Sequence, residues 1–146
     1  MSNKVVQLLK QIQADSLVFY TKLHNLHWHI EGPMFKPIHE ATEKIYDEFA
    51  DVFDDTAERV IQLGNTPYVT LSDILKNAKI KEENATAFKP DQVLKIIVDD
   101  FEYFLKLFKE LSDVADDAKD KVSADYANGI LAFLEKEIWM LKSQLK

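Results

Sequence analysis

The sequence predicts an all-α fold: a four-helix bundle with a short extra helix in the link between the second and third long helices. Three observations carry this. Apolar residues recur at three- and four-residue steps in four long blocks, the spacing of helices that bury one face in a bundle. Glycine and proline number only 3 and 4 in 146 residues, too few for a loop-rich or all-β protein, and the prolines fall between those blocks. Hydrophobic residues make up 47% of the chain, enough to build one core and to exclude intrinsic disorder.

The first block carries Val5, Leu9, Ile12, Phe19, Leu23, Leu26 and Ile30 on one stripe, interrupted by Ser16. Gly32-Pro33 and Pro37 separate it from the second, and Pro37 suits the first turn of a new helix. The second block reads Ile38, Ile45, Phe49, Val52, Val60 and Leu63, and Gly64 and Pro67 end it. The link from 65 to 89 is long for a bundle loop. Within it, Leu71 to Lys79 suits a short helix capped by Thr70 or Ser72. A link of that length lets the third long helix start at the far end of the bundle. Pro90 opens the third block: Val93, Ile97, Phe101, Phe104, Phe108 and Leu111. The fourth, Ala127, Leu131, Leu134, Ile138, Leu141 and Leu145, is expected to follow a start at Asp120 or Ser123.

Composition closes several functional classes. The chain has no cysteine, which removes disulfides and thiolate metal sites and fits a reducing cytoplasm. No stretch approaches the ~20 apolar residues of a membrane span, and the N-terminal MSNKVVQLLKQIQ lacks the apolar core of a signal peptide. A net charge of −7 favours cations over nucleic acid as partners. No nucleophile motif, phosphate loop or glycine-rich cofactor fingerprint is present.

One constellation stands out. His27 precedes His39 by twelve residues, and Asp54 and Glu58 follow on the same second block. At 100° per residue from His39, Glu43 lies at about 40°, Asp54 at about 60° and Glu58 at about 100°. Asp47 shares that arc at about 80° and angle alone does not exclude it. A merely solvated bundle face should mix signs, yet between His39 and Glu58 this arc has no lysine or arginine. Imidazole nitrogens and carboxylate oxygens are the donors an iron site uses. His27, at the end of the first helix, and His39, at the start of the second, meet at the mouth of an antiparallel hairpin. Trp28 is expected beside His27 and is the candidate catalytic residue; His24 can support the site, and His29 points away. The geometry also makes a demand. His39 and Asp54 stand ~22 Å apart along one helix, whereas a metal–ligand bond is about 2 Å. Both halves serve one ion only if two chains share the site.

The run His27-Trp28, Gly32, Phe35, His39, followed by Asp54-Asp55-Thr56-Ala57-Glu58-Arg59, resembles the Dps family, the ferritin-like mini-ferritins. The resemblance spans residues 1–146 as a single ferritin-like domain, through Trp139-Met140-Leu141 of the last helix. It implies ferroxidase ligands at His27, His39 and Glu43 of one subunit and at Asp54 and Glu58 of its partner. Many relatives carry aspartate where Glu43 stands. It implies a cytoplasmic dodecameric shell built from dimers, oxidising Fe(II) with hydrogen peroxide or oxygen and storing ferric mineral. The acidic turn of Asp116, Asp117, Asp120 and Asp125 then lines pores that admit iron, with Asp120 and Asp125 foremost; the plain alternative is a charged loop with helix-capping aspartates.

Two other functions compete: a nucleoid protein that compacts DNA, and an inert structural bundle. Little favours DNA. Met1-Ser2-Asn3-Lys4 offers one lysine ahead of the first stripe, and the C-terminus adds only Lys142 and Lys146. A di-iron oxygenase would place two Glu-x-x-His motifs in one bundle, and none is present.

Overall fold

The computed structural model describes residues 3–146; Met1 and Ser2, part of the N-terminal segment noted above for its single lysine, lie outside the described residues. The described residues form four long helices and one short one: α1 (Asn3–His29), α2 (Phe35–Gln62), α3 (Leu71–Asn77), α4 (Pro90–Asp117) and α5 (Lys121–Gln144). The architecture is the ferritin-like four-helix bundle with a short additional helix in the α2–α4 link.

The predicted stripes are the core. Every named position of the α1 and α4 stripes is buried, as are five of the six on α2, with Leu63 half-buried. On α5 Leu131 is half-buried and Leu145, at the helix end, is exposed. Phenylalanines lock the centre: Phe19 meets Phe49 edge-on at 4.8 Å, and Phe104 lies 5.4 Å from Phe19 and 4.8 Å from Phe49. These rings bury large apolar areas and join α1, α2 and α4 into one packed unit.

The terminators act as read. Gly64 takes φ +82° after the end of α2; its N–H donates to Ile61 O and that of Asn65 to Val60 O, closing a Schellman motif. Gly32, at φ +102°, turns α1 into α2. Thr70 caps α3 by accepting from Asp73 N, and Asp120 caps α5 by accepting from Ser123 N. Of the alternatives posed for each cap, these two are the residues used. Pro90 stands at the first turn of α4.

The long link crosses the bundle. Phe88 N donates to His29 O at 3.1 Å and Glu31 N to Phe88 O at 3.0 Å, a parallel bridge between Ile30 and Phe88. The start of α4 therefore lies where α1 ends, so α4 runs parallel to α2 and not as its up-down neighbour. Polar side chains of α1 hold this link. Buried Asp15 accepts from Lys79 N, Ile80 N, Gln11 Nε2 and Tyr103 Oη, and Gln13 exchanges two hydrogen bonds with the backbone of Tyr68. A buried carboxylate is tolerable because it is fully partnered. Lys22 and Asp100 form a second buried polar tie between α1 and α4, at 2.7 Å.

Candidate metal centre

The α1–α2 turn brings the two histidines into contact. The His27 and His39 rings stack at 3.6 Å with planes 14° apart. Their hydrogen bonds are reciprocal. His27 Nδ1–H donates to His39 O at 2.6 Å, and His39 Nδ1–H donates to His27 O at 2.9 Å. A carbonyl can only accept, so each Nδ1 carries the proton. That assignment leaves both Nε2 lone pairs as ligand atoms. Buried Thr42 adds an oxygen 3.0 Å from His27 Nδ1 while its own hydroxyl donates to the carbonyls of Ile38 and His39. Burial, foremost, and the neighbouring His39 ring lower the His27 pKa against the raising pull of its backbone hydrogen bond, which favours the neutral imidazole a metal needs.

Glu43 is exposed one turn further along α2. Asp54, Asp55 and Glu58 gather near the other end of this helix, all exposed, with ligand oxygens within 4.8 Å of one another. Asp55 was not singled out by sequence. Desolvation, foremost, and then the neighbouring carboxylates of Asp51 and Asp54 raise its pKa. Because α2 is unbroken from Phe35 to Gln62, the histidine end and the carboxylate end stay ~22 Å apart within one chain. The chain brings His27 and His39 together, and Asp54 and Glu58 together, but not the two pairs to each other.

Trp28 does not reach the stacked pair. Its indole is 61% exposed and its aromatic neighbours are His24 and His29, because successive helical residues diverge by 100°. Phe35 stacks on His39 at 4.9 Å, while Tyr46 lies 5.2 Å from His27 and stacks at 3.9 Å on His24. Sequence reasoning missed Tyr46 and Thr42, yet spacing held a signal: seven residues from His39 return a side chain to nearly the same face. His29, half-buried, bonds Asn25 Oδ1 and takes no part in the pair.

At the α4–α5 turn Asp120 has a structural task. Its carboxylate receives Arg59 Nη2 at 2.8 Å, Ser123 N at 3.0 Å and Ser123 Oγ at 2.6 Å. Burial works to raise its pKa, but the hydrogen bonds from Ser123 and Arg59 outweigh it and hold the carboxyl below its usual range. The helix-capping alternative thus describes Asp120, while Asp116, Asp117 and Asp125 are exposed carboxylates. Among the described residues no helix is long and apolar enough to cross a membrane.

Comparisons with known proteins agree with this fold. Residues 6–146 match the ferritin family model, a ferritin-like domain, which defines the class. The chain is 47% identical over 142 residues to the DNA protection during starvation protein of Helicobacter pylori, covering 97% of this chain and 99% of that one. It matches the crystal structure of Helicobacter cinaedi CAIP with TM-score 0.96 at 60% identity, over 97% of this chain and 99% of that one. Dps from Staphylococcus aureus matches with TM-score 0.94 at 34% identity, over 99% and 97% of the two chains. The chain belongs to the Dps family of ferritin-like proteins.

Proposed function

We propose that this protein is an iron-oxidising, iron-storing mini-ferritin whose oxidation site lies between two subunits. The observation that carries the reading is the reciprocal bonding of His27 and His39. It occupies both Nδ1 atoms and leaves the two Nε2 atoms as the donors for a metal, with Glu43 one turn further along α2. Two nitrogens and a carboxylate leave open positions for an oxidant, and they match ferrous ion in donor type. The remaining ligands, Asp54 and Glu58, come from the partner subunit, because α2 is too long to bend back on itself. Twofold pairing of antiparallel α2 helices makes two equivalent sites per dimer.

In this reading Fe(II) is the substrate, hydrogen peroxide or oxygen the oxidant, and ferric mineral the stored product. The assembly is a hollow homododecamer built from six dimers, in the cytoplasm. Asp54, Asp55 and Glu58 attract the cation by their crowded charge, and the histidines fix its position. Removing iron and peroxide together denies the cell hydroxyl radicals, so protection requires no contact with DNA. The relative from Helicobacter pylori is named for DNA protection; the net charge of −7 on this chain opposes binding to a polyanion. Anaerobic Fe(II) loading followed by peroxide or oxygen, read by ferric absorbance, tests the reading. Rapid site-dependent absorbance supports it, and rates equal to those of free Fe(II) contradict it.

A further inference from the structure

Aromatic rings continue from the stacked histidines along the α1–α2 seam. Tyr46 stands edge-on to His27 at 5.2 Å and lies flat on His24 at 3.9 Å. Tyr20 is 5.7 Å from Tyr46 and 4.6 Å from His24. His24 donates its Nδ1–H to Tyr20 O at 2.8 Å, which fixes its ring in this stack. Every centroid separation lies within or just below the range of packed aromatic pairs. An oxidisable phenol is thus in ring contact with one of the two proposed iron-binding histidines. Trp28, the more obvious aromatic in the sequence, joins this group only through His24, at 5.5 Å.

We propose that Tyr46 is the second electron donor of the site, supplying the electron that a singly occupied centre lacks when it meets hydrogen peroxide. The inference rests on the ferroxidase reading above. Peroxide needs two electrons to become two waters, and one ferrous ion supplies one. Tyr46 supplies the other, and its phenolic O–H breaks. Fe(II), H2O2, the tyrosine and one solvent proton become Fe(III), two waters and a neutral tyrosyl radical. The phenolic proton and the solvent proton both end in water, and no hydroxyl radical is released. Half-buried Tyr46 lets solvent supply the second proton, while stacking on His24 shields the radical's ring. Tyr20 is next in line to share the radical.

The test loads the assembled protein anaerobically with one Fe(II) per site, adds one equivalent of peroxide and freezes the sample for electron paramagnetic resonance. Ferric absorbance and spin-trapped hydroxyl radical are read in parallel. The expected result is a tyrosyl signal in the wild type that Tyr46→Phe removes, with a severalfold rise in the hydroxyl adduct. Tyr20→Phe should retain the signal, and ring-deuterated tyrosine should narrow it. A tryptophan-type signal, or a tyrosyl signal undiminished in Tyr46→Phe, overturns the relay while leaving the iron reading intact. Absence of site-dependent ferric absorbance overturns both.

Discussion

His27 and His39 hold each other in place: each ring donates its Nδ1–H to the other residue's backbone carbonyl, at 2.6 and 2.9 Å. The exchange links the end of α1 to the start of α2 and sets both tautomers at once. Neither ring can reorient without breaking the partner's position. Such outer hydrogen bonds matter to a metal site nearly as much as its ligands.

Thr42 is the outer partner that sequence did not reveal, and it gives the first prediction. Thr42→Val keeps the shape but removes the oxygen 3.0 Å from His27 Nδ1. Fe(II) affinity, measured anaerobically by calorimetry, should fall about tenfold, as loss of an outer-shell partner does elsewhere. Unchanged affinity would leave Thr42 a helix-packing residue only.

Asp120 should govern stability in acid. Its folded pKa is depressed below the ordinary 3.8, so its contribution is fully present above that value and lost as pH falls through the lower folded pKa. Asp120→Ala should cost about 2 kcal/mol near neutral pH through the lost cap and ion pair. Thermal melts at fixed subunit concentration check this. The gap between variant and wild type should narrow below pH 3.8; a gap independent of pH would contradict the linkage.

The remaining carboxylates of that turn should steer iron inward. Asp117→Asn with Asp125→Asn should slow initial Fe(II) uptake several-fold at low ionic strength. Added salt should shrink the difference, because exposed charges are screened within about 10 Å at 0.1 M. Equal rates at low salt would remove the turn from the uptake route.

Most of the bundle was legible because helical periodicity records burial directly. Phe101, Phe104 and Phe108 announce an inward face and are fully buried. The histidine–carboxylate set was legible for the same reason, since position on a regular helix converts to an angle. What spacing hid was tertiary. Gln13 and Asp15 look like ordinary polar residues of α1, yet they are buried as anchors for the α2–α4 link, which no periodicity encodes. Trp28 adjoins His27 in sequence but faces away from it in space. Asp120 sits in an acidic run, and only its contact with Arg59, 61 residues distant, shows that its charge is engaged.

DNA should not be retained by the intact shell. With a net charge of −7 per chain, phosphate neutralisation has little to draw on. A gel-shift at low salt without divalent cations should show no retardation. Stoichiometric retardation would promote the nucleoid reading.

Complementation between two inactive variants tests the shared site most directly. His27→Ala and Asp54→Ala should each assemble and each lose site-dependent peroxide-driven oxidation, since each lesion strikes every site. Subunits of the two, unfolded and reassembled at equal ratio, form mixed dimers in which one site carries both lesions and the other carries none. Random pairing then restores about a quarter of the wild-type sites, because half of the dimers are mixed and each holds one intact site. Recovery near that level is the predicted result. Mixed assemblies as inactive as their parents would place both residues in a site built within one chain, and would contradict the account.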